Sequence, residues 1–235
     1  MLQSNPPSPI LAFEDTDLLK REELRGIRMQ LELIKPNLIF SEQGITQTIV
    51  IFGSARTSSK NNNYYLEAQQ LGGLITRHFM TQPQSLIVVT GGGGGIMEAV
   101  NRGASEVGGK SAGFNISLPH EQIPNAYITP GLCFEFEHFS MRKMHFFRLA
   151  KALVVFPGGF GTLDELFEAL TLIQTRKIPR IPVILYDKSY WEKIINFNEL
   201  CHAGMISADD LTLIEYAQSS DEAWQIISAF MAKNE

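Results

Sequence analysis

The chain is poor in cysteine, in basic charge and in long apolar runs, and each shortage disfavours a class of protein. Cys133 and Cys201 are the two cysteines of 235 residues, and neither has a C-x-x-C partner, so a disulfide framework is not expected. The formal net charge of −5 disfavours a sequence-independent nucleic-acid binder, which needs a basic surface. No apolar run approaches the roughly 18 residues of a membrane span, and no signal-peptide pattern opens the chain. We expect a soluble cytoplasmic protein without nucleic-acid or membrane partners.

Short apolar runs and amphipathic helical patterns alternate along most of the chain. Residues 1–13 are rich in proline and are expected to be irregular, and residues 15–35 predict an amphipathic helix that ends at Pro36. From residue 48 onward, short apolar runs without polar alternation alternate with helical patterns. Such strands are buried on both faces, which predicts a doubly wound parallel α/β sheet of Rossmann-like type. The hydrophobic content of 44% suits a single domain over residues 14–235.

The predicted elements follow this alternation. Strands are expected at 48–52, 85–90, 111–118, 152–156 and 181–186, with a short extended piece at 132–138. Helices are expected at 64–80, 96–107, 141–151 and 162–175, and two or three more close the chain, at about 191–200, 209–217 and 221–232.

Three of the predicted strands end in glycine loops, at 53–54, 91–95 and 158–161. The carboxyl ends of parallel strands share one edge, where such sheets bind ligands. Loop 91–95 does not fit a dinucleotide fingerprint, because Ile96 or Met97 stands where the third glycine belongs. No Lys-Ser or Lys-Thr pair follows any of the loops, so a P-loop is also disfavoured. A tight helix–sheet turn remains the alternative for loop 91–95.

The most informative segment reads PGGFGTLDE and follows an apolar run. Its glycines, Gly158, Gly159 and Gly161, leave backbone N–H groups bare at a helix N-terminus, and Thr162 adds a hydroxyl donor. These are parts that hold a monophosphate. Glu165 has two interpretations: it is a functional carboxylate beside the anion, or it forms a capping box with Thr162. Spacing alone does not decide between them.

A basic pair stands at the start of the helix predicted at 141–151. Ser140 is a candidate N-cap, and Arg142 and Lys143 lie in the first turn, where the helix dipole disfavours cations. This placement indicates either a compensating anion or a solvated basic pair. His138 and His145 have no carboxylate at metal-ligand spacing in the sequence, so we interpret them as polar or packing residues and expect no metal site.

Four motifs occur in order along the chain: FGSAR at 52–56, TGGGGGIMEA at 90–99, Arg142-Lys143, and PGGFGTLDE at 157–165. In this order they resemble the motifs of the LOG (Lonely Guy) family. The likeness covers about residues 48–207, and the chain looks like the longer bacterial group, with its extra N-terminal helix and an LPHEQ segment at 118–122. The last of the four resembles the family signature PGGxGTxxE.

The resemblance implies an activity. LOG proteins are phosphoribohydrolases that cleave the N-glycosidic bond of nucleoside 5′-monophosphates, either cytokinin riboside monophosphates or AMP, to free base and ribose 5-phosphate. It implies no metal or organic cofactor, and at least a homodimer with active sites at the subunit interface. Some members are labelled lysine decarboxylases, but nothing in this chain supports a pyridoxal site. The alternative is a non-catalytic carrier of a nucleotide or cofactor phosphate on the same fold.

The resemblance also implies roles for individual residues. Glu165 would stabilise the positive charge that develops on the ribose and activate water, and Arg142 would orient the substrate and balance charge. Gly94 stands where related sequences often have proline, which predicts a looser loop. The phosphate would bind Gly158, Gly159, Gly161 and Thr162, and the remaining contacts would come from Ser54, Gly92, Gly93, Gly94, Met141 and Lys143.

Overall fold

The computed structural model describes residues 10–58, 63–82, 85–118 and 123–233, and within them the strands form one seven-stranded sheet in which every pairing is parallel. This confirms the predicted parallel, Rossmann-like α/β architecture. The predictions for residues 1–9 and 119–122 lie outside the described residues. The strands are β1 (Gln47–Phe52), β2 (Leu86–Thr90), β3 (Ser111–Ile116), β4 (Cys133–Phe136), β5 (Ala150–Val155), β6 (Val183–Tyr186) and β7 (Ile214–Ala217).

Helices cover both faces of the sheet, and each face has its own apolar core. Helices α3, α4 and α9 pack on one face, and α2, α5, α6 and α7 contribute to the core on the other. The helices of the described residues are α1 (Thr16–Leu19), α2 (Arg25–Glu42), α3 (Asn63–Phe79), α4 (Ile96–Glu106), α5 (Phe139–Arg148), α6 (Phe160–Gln174), α7 (Lys188–Ile194), α8 (Phe197–His202) and α9 (Ser220–Lys233). Within the part of the chain that the structure describes, no helix is both long and apolar enough to cross a membrane.

The strand order is β4-β3-β2-β1-β5-β6-β7. The chain builds outward from β1 to one edge, then returns to place β5 against the other side of β1. The connections after β1 and β5 therefore leave in opposite directions, which opens a crevice at the carboxyl ends of these two strands. This switch point brings the predicted glycine loops to one place.

The N-terminal helix prediction is partly wrong. Residues 15–24 form only the short α1 and a 3-10 turn at Glu22–Leu24, and α2 then continues through Pro36 to Glu42. Proline inside a helix costs about 3 kcal/mol, but Pro36 and Phe40 are the buried residues of α2, and Phe40 packs into the core. The burial of this helix face offsets the cost, so the helix does not end where the sequence signal predicts.

The helix predicted at 209–217 is wrong. The segment instead contains a 3-10 turn, Asp210–Leu213, followed by β7, which pairs with β6 at the edge of the sheet. Strand β7 is only four residues long, and Ala217 is its one buried residue. So short a run cannot be told from a helical turn by periodicity, and pairing with β6 decides its conformation.

Helices α3 and α4 approach so closely that a side chain is excluded at their crossing. A Cβ added to Gly103 of α4 would lie 1.9 Å from the carbonyl oxygen of Gln69 on α3. By contrast, a Cβ added to Gly26 at the start of α2 would meet nothing within 4 Å. The same substitution at these two helical positions therefore has opposite consequences.

We expect Gly103→Ala to lower the free energy of unfolding by about 2–3 kcal/mol, because the backbones must separate to admit the methyl group. The matched control Gly26→Ala should raise it by about 0.5 kcal/mol, since alanine loses less backbone entropy in a helix. Urea unfolding of both variants measures the two changes. Equal effects at the two positions would contradict the close approach of α3 and α4.

Candidate active site

A cavity of about 730 Å³ lies at the switch point and is lined by the loops that follow β1, β2 and β5. Backbone hydrogen bonds join these loops to one another. The N–H of Ser54 donates to the carbonyl of Pro157 (3.1 Å), and the Ser54 carbonyl accepts from the N–H of Ile96 (3.0 Å). The three loops therefore form a connected frame rather than independent turns.

The loop after β5 presents a helix N-terminus to the cavity. Helix α6 begins at Phe160 with Gly159 as its N-cap, and no side chain of the cap satisfies the first-turn N–H groups. Such groups, together with the helix dipole, favour an anion. Gly158, Gly159, Gly161 and Thr162 all line the cavity. The hydroxyl of Tyr190 donates to the Gly158 carbonyl (2.9 Å) and fixes this loop from the side of α7.

Glu165 is a buried carboxylate without a hydrogen-bond partner at one oxygen. Its side chain lines the cavity, the residue is 5% exposed, and Oε2 accepts no hydrogen bond. The capping-box interpretation is wrong, because Gly159 is the N-cap and Thr162 lies within the first turn. Burial raises the pKa of Glu165 to about 7, against the opposing effects of Lys143 and Arg142. A carboxyl with this pKa is suited to proton transfer near neutral pH.

Arg142 reaches the same cavity from α5. Its Nε donates to the Phe114 carbonyl (2.7 Å), and its guanidinium lies 5.1 Å from the centre of the Phe146 ring. A Cβ at Gly91 would come within 2.6 Å of Nη2, so the bare glycine leaves room for the guanidinium. Burial lowers the pKa of Arg142, and the charge of Glu165 opposes this shift. The interpretation of a solvated basic pair is therefore wrong for Arg142.

Lys143 is not among the residues that line the cavity, and its ammonium group contacts carboxylates of α6. Its Nζ lies 2.6 Å from Glu168, 2.8 Å from Asp164 and 3.8 Å from Oε2 of Glu165. Burial disfavours its charge, but the hydrogen bonds to Asp164 and Glu168 outweigh that effect and raise the pKa of the ammonium group. Carboxylates of the protein itself therefore compensate this first-turn cation. Ser140 does not cap the helix, since α5 begins one residue earlier with His138 as its N-cap.

The glycines of the loop after β2 divide into two groups. Gly91 lines the cavity, whereas the carbonyls of Gly92 and Gly93 accept hydrogen bonds from the Asn125 side chain (3.2 and 3.0 Å). Met141, a residue of α5, packs against the apolar core. Ser54 lines the cavity, as predicted for it. A substrate contact at Gly92, Gly93, Gly94, Met141 or Lys143 stays a prediction.

The sequence interpretation missed an apolar part of the cavity wall. Met97 lies within the motif at 90–99, and Phe139 lies three residues before Arg142, so the motifs marked these parts of the chain. Tyr190 and Ile194 come from α7, which starts before the predicted helix at 191 and has no motif to mark it. The wall residues outside the glycine loops include Met97, Ile116, Leu118, Phe139, Tyr190 and Ile194.

The raised pKa of Glu165 predicts a pH-dependent stability. Between pH 4.5, the ordinary glutamate value, and about 7, the unfolded chain has released a proton that the folded protein keeps. The free energy of unfolding therefore falls as pH rises through this window, by roughly 3 kcal/mol in total. Glu165→Gln removes this pH-dependent loss. The free energy of unfolding of the variant, relative to that of wild type, should therefore be higher at pH 8 than at pH 4.5.

Urea unfolding at these two pH values measures the gain. Glu215→Gln changes an exposed carboxylate of β7 and controls for the loss of one formal charge. An equal stability difference between Glu165→Gln and wild type at both pH values would contradict the raised pKa.

Comparison with known proteins places the sequence in a family. A family model described as "Possible lysine decarboxylase" matches residues 97–227, more than half of the chain. Probable cytokinin riboside 5′-monophosphate phosphoribohydrolase LOGL5 of Oryza sativa subsp. japonica is 30% identical over 131 residues. The match covers 54% of this chain and 52% of that protein, so it spans about half the length of the relative.

Solved structures share the fold. The molybdenum cofactor binding protein from the phototrophic bacterium Rippkaea orientalis has a TM-score of 0.58 at 18% identity, covering 79% of this chain and 98% of its own. The molybdenum cofactor carrier protein MCP from Chlamydomonas reinhardtii has a TM-score of 0.57 at 24% identity, covering 80% and 99%. Likeness at these identities concerns the fold alone. The family match, the LOGL5 relative and the four motifs together identify the chain as a member of the LOG family, whose model is described as possible lysine decarboxylases.

Proposed function

We propose that this protein hydrolyses the N-glycosidic bond of nucleoside 5′-monophosphates to free base and ribose 5-phosphate. One observation carries the proposal: Glu165, buried and without a hydrogen-bond partner at Oε2, lies in the same cavity as the open N-terminus of α6. The N-terminus suits the phosphate of the substrate. The carboxylate suits the cationic, oxocarbenium-like transition state of glycoside cleavage.

The reaction would use the spacing of groups along α6. Side chains tilt towards the N-terminus of their helix, so Glu165 faces back towards the glycine loop that binds the phosphate. With the phosphate anchored there, C1′ of the ribose lies near the carboxylate, which stabilises the developing positive charge and accepts a proton from the attacking water. Arg142 balances negative charge on the leaving base from the wall formed by α5. The name of the LOGL5 relative supports this class of substrate.

A second candidate is a non-catalytic carrier, which fits the descriptions of the two fold neighbours. The buried carboxylate argues against it. A site that only holds an anionic ligand gains nothing from a negative charge at the binding loop, because that charge repels the ligand. A glycosidase needs the carboxylate, since charge of the opposite sign appears in its transition state.

A homodimer, or a higher homo-oligomer with the cavity at the interface, is part of the proposal. Large apolar side chains surround the mouth of the cavity, and Phe160, at the first position of α6, is 92% exposed. Phe139 and Ile194 at the same mouth are also exposed. Apolar surface of this kind is typical of a protein–protein contact, and a second copy would cover it.

The activity is tested by incubating the purified protein with AMP and with isopentenyladenosine monophosphate and measuring free base. We expect release from at least one substrate, and a loss of at least about a hundredfold in kcat for Glu165→Gln, because the neutral amide cannot stabilise the cationic transition state. Calorimetric titration with AMP should show that the variant still binds. Binding by wild type without base release would favour the carrier instead.

The phosphate clamp is tested by removing one donor. Thr162→Val should raise the KM for AMP by about tenfold or more, since a hydrogen bond to a charged group contributes about 1.5–3 kcal/mol. Thr171→Val is the matched control, because Thr171 lies on the same helix and its hydroxyl donates to the carbonyl of Phe167. A similar KM for the two variants would remove Thr162 from the clamp.

A further inference from the structure

Helix α2 packs beside α5, the helix that carries Arg142, although none of the four family motifs lies on α2. The contact centres on Glu32, whose side chain is 14% exposed. Glu32 accepts a hydrogen bond from the backbone of His138, although the two residues are 106 positions apart in the sequence. Tertiary packing, and not the local sequence, therefore places this carboxylate at the start of α5.

The Glu32 carboxylate holds the backbone that leads into α5. Oε1 accepts the N–H of Glu137 at 2.8 Å, and Oε2 accepts the N–H of His138 at 3.3 Å. Helix α5 has no side-chain N-cap of its own. A negative charge near a helix N-terminus is stabilising, so Glu32 supplies from a distant segment what the local sequence lacks.

The ring of His138 joins the same contact. Its Nδ1 lies 3.3 Å from both oxygens of Glu32, and its Nε2 accepts the Nε–H of Arg25 at 3.2 Å. Because Nε2 acts as an acceptor, Nδ1 carries the ring proton and donates to Glu32. The carbonyl oxygen of Glu32 also accepts a hydrogen bond from Nε2 of His145 at 3.0 Å. Glu32 therefore contacts α5 at its start and two turns further along.

A bound cation is the competing interpretation of this cluster. Ligand atoms of Glu32, Glu137 and His138 lie within 4.8 Å of one another. However, Arg28 donates to both oxygens of Glu137 (2.9 and 3.2 Å), and Arg25 occupies Nε2 of His138. Two guanidinium groups already supply the positive charge, and a protonated Nδ1 offers no lone pair. The cluster is therefore an anchor between α2 and α5.

The anchor lies at the residue whose carbonyl accepts the first hydrogen bond of α5. The N–H of Arg142 donates to the carbonyl of His138 at 3.2 Å, so the placement of the His138 backbone bears on where α5 begins and where it carries Arg142. We propose that Glu32 is a positioning residue for Arg142, which makes α2 part of the scaffold of the active site. The inference rests on the proposed function, in which Arg142 contacts the substrate.

The test compares Glu32→Ala and Glu32→Gln with Glu42→Ala, which removes an exposed carboxylate from the same helix. We expect kcat/KM for AMP to fall about tenfold to a hundredfold in Glu32→Ala, since small displacements of a catalytic group have effects of this size. Glu32→Gln keeps one oxygen acceptor and should lose less. Glu42→Ala should match wild type.

A double-mutant cycle separates positioning from a general effect on folding. In an Arg142→Ala background, Glu32→Ala should cause no further loss of kcat/KM, because the group it positions is gone. Assays are run at a temperature at which circular dichroism shows every variant folded. If Glu32→Ala does not fold, the same cycle is measured with Glu32→Gln.

The outcomes distinguish the inference from the proposed function. If wild type releases base but Glu32→Ala keeps wild-type kcat/KM, or the two losses multiply in the double variant, the positioning role is wrong and the function stands. If wild type releases no base, the proposed function is wrong, and the cycle is measured as the Kd of AMP by calorimetry. Independent effects of Glu32 and Arg142 on that Kd, or no binding of AMP, would then overturn the positioning role.

Discussion

A buried carboxylate oxygen without a hydrogen-bond partner is costly, and Oε2 of Glu165 is held in that state near the start of α6. The surroundings limit the cost without removing it. Arg142 and Lys143 approach from α5, but Lys143 is engaged by Asp164 and Glu168, and Arg142 is fixed by the carbonyl of Phe114. Lys143 approaches Oε2 of Glu165 only to 3.8 Å, which is beyond hydrogen-bond distance. Incomplete compensation keeps the pKa of Glu165 near 7, and a shorter contact to either cation would lower that pKa and stabilise the fold.

The fold does not separate an enzyme from a carrier. A parallel sheet with this switch point provides a crevice and helix N-termini in either case, and function depends on the side chains placed there. In this chain the loops around the crevice are tied to one another by backbone hydrogen bonds through Ser54. The two candidate functions therefore differ in what the negative charge of Glu165 would do. It would repel an anionic ligand that is only carried, and it would stabilise a cationic transition state.

The strands of the sheet interior and the three loops at their ends were predictable, because buried strands and glycine-rich turns depend on local sequence. The extent of α2 and the presence of β7 were not, since burial of Pro36 and pairing with β6 are tertiary effects. The surroundings of Glu165 and Lys143 were also not predictable, because they depend on how α5 packs against α6. Spacing suggested a cap for Glu165, and only the position of Gly159 as N-cap excluded it. The contact between Glu32 and His138 joins segments that no local pattern relates.

The space above Gly91 links two positions that are far apart in the sequence. Any side chain at 91 would occupy the volume of the Arg142 guanidinium and would also press on Met97. Because the sulfur of Met97 is almost as close as the guanidinium, shortening the arginine alone would not make room, and a larger residue at 91 requires the ends of both side chains to move. A glycine that looks like part of a phosphate loop thus works as a constraint on the routes by which this active site can be redesigned.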